Sequence, residues 1–399
     1  MNHEVLFSTL RANHARRFIA REGDASALGV AWGDVSLTIF IFTIDGAEKL
    51  AAIVPPLLDV ADELVIGVDD ASRDRSFDVA RTFTEKVVSV PHALLASRAT
   101  AIPFILPHCS GDWVLRIDHD ETLSAHWSER GYVERLLSNR SVTHVWIPRR
   151  WILPPGDRFI ASFPWQPDYQ LRLFRNVPSL IQLSPELHGL DAVVGEPFFV
   201  TDAWINHLDF VWTDRAAREA KVRYYAERGV SNAEFYFYEE QSYETKPADW
   251  SPELPRFGAY EPSASPFHAS LRLVDAPKDV YAASHATVLL SVRNDSSRSF
   301  VPGNGWSRDA NVKAAYHWRA LGSDVATSEH PRTPLPCRLE PGESTLLYLI
   351  VQTPAEPGRY TLQPDLIEEH VAWFSDHCAI EPLELIVRER NPDSARSVE

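Results

Sequence analysis

Two short acidic runs hold the residue types that could do chemistry in this chain. The first is Val68-Asp69-Asp70-Ala71-Ser72-Arg73-Asp74, the second Arg116-Ile117-Asp118-His119-Asp120-Glu121. Carboxylates this close repel one another unless protonated, hydrated or neutralised by a cation. Asp118 and Asp120 flank one residue, so in an extended segment both side chains point the same way. A hard divalent ion, Mg²⁺ or Mn²⁺, suits such an oxygen-rich corner. An ion held there keeps open positions for phosphate oxygens, which makes a nucleoside diphosphate the natural ligand class. Asp-rich strand ends also serve as helix caps, and an Asp-x-Asp taken singly is a common pattern.

The elements around these runs alternate. Residues 35–42 and 64–68 are continuous apolar runs, as expected of strands covered on both faces. Residues 87–90 and 113–117 read as two more strands. Between them, 46–58 carries Leu50, Val54 and Leu57 at helical spacing, and a helix capped by Ser72 or Asp74 carries Phe77, Ala80 and Phe83. Residues 96–106 read as helical despite Pro103. This order implies a parallel sheet with helices on both faces, whose ligands bind beyond the carboxyl ends of the strands. Both acidic runs fall there. Further on, 152–156 and 163–167 read as loops, 171–174 and 198–206 as strands, and 214–229 as a helix capped by Thr213 or Asp214.

The style then changes. Four prolines between 252 and 266 mark a linker over 249–266. Beyond it, 269–274, 286–292, 312–318, 344–351, 360–366 and 383–388 are short strand-like runs separated by turn signals, the pattern of an antiparallel β-sandwich. Trp306, Trp318 and Trp373 are expected in its core, with a sugar platform as the sharper alternative. The divisions are a helical extension over 1–34, an α/β domain over 35–248, the linker, a sandwich over 267–389 and a disordered tail over 390–399.

Composition bounds the rest. The chain has 399 residues, 45% hydrophobic and 24% charged, with a formal net charge of -16. Such a field repels nucleic acid and anionic membrane surfaces. Cys109, Cys337 and Cys378 are odd in number and far apart, which fits a reducing compartment and no disulfide framework. No apolar run approaches the ~20 residues of a membrane span, and the N-terminal part lacks the pattern of a signal peptide. Leu6, Leu10, His14 and Phe18 share one side of a helix that packs on the domain or, alternatively, rests on a membrane surface.

Taken in order, these features resemble glycosyltransferase family 2, the inverting enzymes of the GT-A fold. Residues 37–42 followed by Thr43-Ile44-Asp45-Gly46 look like the family's first strand and nucleotide loop. Residues 68–74 look like its acidic loop after the second strand. Ala96-Ser97-Arg98-Ala99-Thr100 is similar to its Ala-Arg-Asn helix, and Asp118-His119-Asp120 stands where its Asp-x-Asp lies. The resemblance spans roughly residues 35–210, with a C-terminal immunoglobulin-like β-sandwich beyond. It implies an α/β GT-A type, doubly wound, mostly parallel sheet plus an all-β sandwich domain. By the same resemblance Thr43, Asp45, Asp70, Arg98 and Asp118 hold the nucleotide, and Asp118, Asp120 and His207 a divalent metal, with His207 alternatively at the diphosphate. Asp45 stands where the family commonly has Asn, and Thr100 replaces the Asn of the helix motif.

An inverting transfer needs a carboxylate to take the acceptor's proton. Arg172-Leu173-Phe174-Arg175, followed by Ser184-Pro185-Glu186-Leu187-His188-Gly189, resembles an Arg-Leu-Phe-Arg…His-Glu arrangement with Gly189 in place of Glu. Glu186 is the favoured base, with Asp191 in reserve and Asp168 behind them. His188, Arg172 and Trp165 are candidates for the acceptor or phosphate, alongside Arg175 and Tyr169. The expected activity is metal-dependent transfer of a sugar from a nucleotide-diphosphate donor, a UDP-sugar foremost, to a saccharide or lipid-linked acceptor. Its expected setting is bacterial cell-surface polysaccharide or lipopolysaccharide synthesis, in the cytoplasm or at the inner face of the membrane. The alternative is a non-catalytic glycan-binding protein on a degenerate GT-A domain, which Gly189 keeps open. A nucleotidyltransferase is disfavoured, because residues 43–50 contain one Gly and no Arg.

Overall fold

Alternation of buried faces explains the first part of the chain. In β1 (Leu37–Thr43), Leu37, Ile39 and Ile41 enter one apolar cluster and Phe40 enters another on the opposite face. Helix α1 (Ala47–Leu57) covers the first face with Leu50, Ile53, Val54 and Leu57, spaced for one helical stripe. β2 (Glu63–Asp69), α2 (Ser76–Arg81) and β3 (Val87–Val90) follow. Helix α3 (Arg98–Ile105) buries Ile102 and Ile105 against the second face. β4 (Trp113–Asp118) and the short β5 (Glu121–Leu123) carry the second acidic run, and α4 (Arg130–Leu137) comes next. The computed structural model describes residues 35–389 apart from 97, 129, 140, 184–191, 228–242, 254, 303–310, 324–325 and 328–329. The extension over 1–34, the tail over 390–399 and Trp306 lie outside the described residues.

The remaining strands of this part are β6 (Val142–Leu153), β7 (Arg158–Ile160), β8 (Asp168–Arg175), β9 (Ile181–Gln182), β10 (Ala192–Val193), β11 (Glu196–Phe199) and β12 (Ile205–His207). The main sheet runs β7-β6-β8-β4-β1-β2-β3, with β11 and β12 added parallel to β6 and β5 paired to β12. β4, β1, β2 and β3 are mutually parallel, whereas β8 runs antiparallel to β4. Residues 152–153, expected in a loop, extend β6. Helix α5 (Asp209–Trp212) leads to α6 (Arg215–Ala226), whose first turn is capped by Asp214, its side chain accepting from Ala217 N at 2.8 Å. The result is a mixed α/β architecture with a parallel-rich sheet.

The described residues divide into two compact units, one within 35–159, 169–239 and 247–249, the other within 160–168, 240–246 and 250–389. After β13 (Thr245–Pro247), the second unit is all β: β14 (Ala269–Asp275), β15 (Asp279–Tyr281), β16 (His285–Asn294), β17 (Val301–Pro302), β18 (Asn311–Ala320), β19 (Ala326–Thr327), β20 (Thr333–Pro334), β21 (Ser344–Gln352), β22 (Gly358–Glu368), β23 (Ala372–Trp373) and β24 (Leu383–Arg388). One sheet runs β14-β16-β21 and the other β15-β24-β22-β18-β17, with Val288, Leu290, Leu349, Tyr316, Trp318 and Leu366 in a shared core. Of the linker expected over 249–266, residue 249 falls in the first unit and the described residues of 250–266 in the second. Phe257 packs against the Arg272 and Arg293 guanidiniums, 5.3 and 4.8 Å from its ring centroid, and Tyr260 donates to Ser296 O.

Candidate active site

β1 lies between β2 and β4 with Thr43 opposite Val68 and Phe42 opposite Asp118. Three parallel strands therefore end side by side, and the loops leaving two of them carry the acidic runs. Asp45 takes a left-handed backbone (φ +45°), a region a short polar side chain tolerates. Its carboxylate accepts from Arg73 N at 2.6 Å, and its own amide donates to Ser72 Oγ at 3.3 Å. Asp74 accepts from Ala47 N at 2.8 Å and Ser76 N at 2.9 Å, while Gly46 N donates to Ser76 Oγ at 2.9 Å. The loops after β1 and β2 are thus sewn together. Asp69 is buried, bonded to Ala71 N at 2.8 Å and to His92 Nδ1 at 2.7 Å, a bond that holds the His92 imidazole above its usual pKa. Asp70 is exposed and accepts from His92 N at 2.9 Å.

The second run ends in a dense charge cluster. Asp118 Oδ2 accepts from Arg172 Nη2 at 2.6 Å, and Arg116 Nε lies 3.9 Å from Oδ1. Glu121 has no exposed surface; it accepts from the same Arg172 Nη2 at 2.5 Å and from Asp118 N at 3.0 Å, with Arg149 Nη1 at 3.6 Å. Burial works to raise the Asp118 carboxyl, but Arg172 and Arg116 outweigh it and hold the group well below the usual carboxylate range. Asp120 is also held low, burial being outweighed by His207, His119 and Lys221. His207 Nε2 stands 3.5 Å from Asp120 Oδ2, its ring edge-on to Trp151 at 4.4 Å. Strand β12 makes this approach by pairing His207 with Glu121 on one side and Trp151 on the other.

The edge therefore brings together Thr43, Asp45, Asp70, Asp118, Asp120 and His207. Arg98 opens α3, its side chain outside the described residues, as are Glu186, His188 and Asp191. Two candidates are placed differently from expectation. Trp165 is 4% exposed and packs against Tyr243, so it offers no open face to an acceptor sugar. Arg172 is 1% exposed because β8 sets it beside β4; it is an internal countercharge to Asp118 and Glu121 rather than a surface group for an acceptor. Arg175 likewise turns inward, stacked 4.5 Å over Trp113 and donating to Val142 O. Among the described residues no three His, Cys, Asp or Glu side chains converge as a metal-binding group. Asp120 and His207 approach each other, while Asp118 is turned to Arg172.

Reading by type missed four participants. Glu121 was in view as the end of its run, yet its role depends on a partner from β8. Lys49 Nζ lies 3.3 Å from His119 Nε2, and His119 Nδ1 lies 2.9 Å from Thr43 Oγ1. Burial, joined by Lys49 and Lys221, outweighs Asp120 and Asp118 and pushes the His119 imidazole below its usual pKa. Lys221 of α6 pairs with the buried Asp209 at 3.1 Å. Glu121 and His119 stood within the second acidic run, and the helical spacing of 46–58 places Lys49 just after β1; Lys221 had no signal beyond the helix expected over 214–229.

No protein-family model matches the chain. Over 88 residues it is 31% identical to an uncharacterized glycosyltransferase of Rickettsia typhi and equally to one of Rickettsia bellii, matches covering 22% of this chain and 29% of each relative. The chain thus spans less than a third of the length of the curated relatives it matches. Among solved structures, a mannosyltransferase from Pyrobaculum calidifontis in complex with GDP-Man and Mn²⁺ is 14% identical, over 58% of this chain and 78% of that one, with a TM-score of 0.30. TM-scores of this size do not establish a shared fold.

Proposed function

We propose that the α/β unit is a glycosyltransferase that takes a sugar from a nucleoside-diphosphate donor. The observation that carries this is the ending of β1, β2 and β4 at one edge, whose strand ends and loops carry Thr43, Asp45, Asp70, Asp118 and Asp120. The glycosyltransferase names of the Rickettsia relatives support the same reading. Asp70 presents a carboxylate at the surface, suited to accept from a base or ribose hydroxyl. Asp120 and His207 offer one oxygen and one imidazole nitrogen, a donor pair that fits Mn²⁺ better than the all-oxygen preference of Mg²⁺. A divalent ion bound there supplies charge stabilisation to the departing diphosphate. Asp118, fixed by Arg172 and partly exposed at 45%, faces the donor as a fixed acceptor.

In this reading the reaction inverts the sugar, with Glu186 as base and Asp191 in reserve, and the acceptor is a saccharide or lipid-linked glycan of a bacterial surface polymer. The proposed setting is the cytoplasm or the inner membrane face; among the described residues no helix is long and apolar enough to cross a membrane. Thermal stability with UDP, GDP, dTDP or CMP, each with and without Mn²⁺, tests the donor site. A ligand at ~100 times its Kd adds about 2.7 kcal/mol to the folded state. A metal-dependent shift with one nucleotide, lost in Asp120→Asn, is expected. Absence of a shift with all four would overturn the reading.

A further inference from the structure

In this corner Arg172 has Asp118 and Glu121, and Lys221 has Asp209. Lys49 differs. Half-buried in the first turn of α1, it forms no ion pair with a described residue, and its ammonium rests on His119 Nε2 at 3.3 Å and 5.7 Å from the Trp212 ring centroid. We propose that Lys49 is the cation that meets the diphosphate of the donor, held in place by His119 as a positioning residue. The proposal rests on the glycosyltransferase reading above.

The hydrogen-bond chemistry orients the whole chain. An ammonium donates and cannot accept, so His119 Nε2 is the acceptor and the ring proton sits on Nδ1. Nδ1–H then donates to Thr43 Oγ1 at 2.9 Å, and the Thr43 hydroxyl hydrogen is left to donate elsewhere. A neutral imidazole steers the ammonium without cancelling its charge, as a carboxylate would. Gly46 is what lets the three groups meet: a Cβ there would stand 2.0 Å from Thr43 Oγ1 and 3.0 Å from His119 Nδ1. The amide just before α1 and the first amide of α1 are already taken, Gly46 N by Ser76 and Ala47 N by Asp74. A phosphate at this edge therefore has a side-chain cation, and not those amides, to bind.

Isothermal titration of the full chain with the nucleoside diphosphate it binds, and with the corresponding nucleoside, separates the cases. Lys49→Met is expected to weaken the diphosphate by about tenfold or more, the size of one charge-assisted hydrogen bond, and to leave the nucleoside unchanged. Lys49→Arg should retain most of the affinity. His119→Leu should weaken the diphosphate in the same selective way, and His119→Gln, which keeps an acceptor for Lys49, should restore it. Wild-type diphosphate affinity in Lys49→Met overturns the inference while leaving the donor site standing. Equal losses for diphosphate and nucleoside overturn it too, since the lysine would then be shaping the site as a whole. A wild-type chain that binds no nucleoside diphosphate overturns the glycosyltransferase reading, and this inference falls with it.

Discussion

Replacing Glu121 with leucine tests the charge cluster beneath the site. Glu121 has no exposed surface and Arg172 is 1% exposed, so neither ion reaches water. With the carboxylate gone, Arg172 keeps Asp118, whose side chain is 45% exposed and satisfies only part of the guanidinium. Removing one partner of a buried pair costs about 3–5 kcal/mol. Because Asp118 remains, the lower end applies, about 3 kcal/mol for Glu121→Leu. For a unit of this size, ~2–4 °C per kcal/mol converts this to a fall of about 6–12 °C in Tm. Arg172→Met should be similarly damaging, since it leaves the buried Glu121 carboxylate with only Asp118 N and the more distant Arg149. The double variant removes both charges and should lose clearly less than the sum, with a coupling of about 2 kcal/mol or more. Scanning calorimetry of the four proteins without ligand reads the cycle. Additive losses, or a Glu121→Leu protein within about 0.5 kcal/mol of wild type, would refute the reasoning.

Gly46→Ala must displace Thr43 or His119, and should cost about 1–3 kcal/mol in unfolding experiments and weaken donor binding with it. Glu63 accepts from Thr38 Oγ1, Ser110 and Lys86; burial is outweighed by these bonds, and its carboxyl is lowered to about 2. Its contribution to stability is complete above about 4.5 and lost as pH falls towards about 2, so Glu63→Gln should flatten that limb of a Tm-against-pH curve. Burial pushes the Cys109 thiol up to about 12, so at pH 8 it should be the last of the three cysteines to react with a thiol reagent, as counted by peptide mapping. Asp214→Ala removes the cap on Ala217 N and should lower stability by about 1 kcal/mol in denaturant titration.

Where a segment's fate is decided by its own residues, the sequence was informative. The run over 87–90 is β3 to the residue, Leu50, Val54 and Leu57 face the core as their spacing requires, and Asp214 caps α6. All six strand-like runs after residue 266 are strands. Errors arise where distant partners decide. Residues 152–153 look like loop beside Pro154, yet β7 pairs with them and extends β6. Residues 249–266 look like linker because prolines break local patterns, and the described residues among them form no helix or named strand, while Phe257 packs on Arg272 and Arg293. Trp165 could not be told from an exposed indole, since the packing of Tyr243 upon it leaves no local trace.

The acidic residues show the same division at finer grain. Within two runs of seven and six residues the side chains look interchangeable, yet their electrostatic work differs. Asp69 and Asp74 spend their oxygens on backbone amides and neighbouring side chains, and Glu121 spends both of its on Asp118 N and buried arginine. These three are committed to holding loops and strands in register. Asp70, Asp118 and Asp120 keep surface or a titratable partner at the strand edge. What sorts them is cross-strand geometry: β8 delivers Arg172 beside β4, and β12 delivers His207 beside β5. Asp118 stays ionised despite the repulsion of Asp120 because the buried Arg172 guanidinium pairs with it. The pairing also holds the Asp118 carboxylate in place to accept from a hydroxyl without first rearranging. The glycosyltransferase reading therefore depends on Glu121 and Arg172 as much as on Asp118 and Asp120: if the buried pair is removed and donor binding is unchanged, the edge owes its readiness to something else.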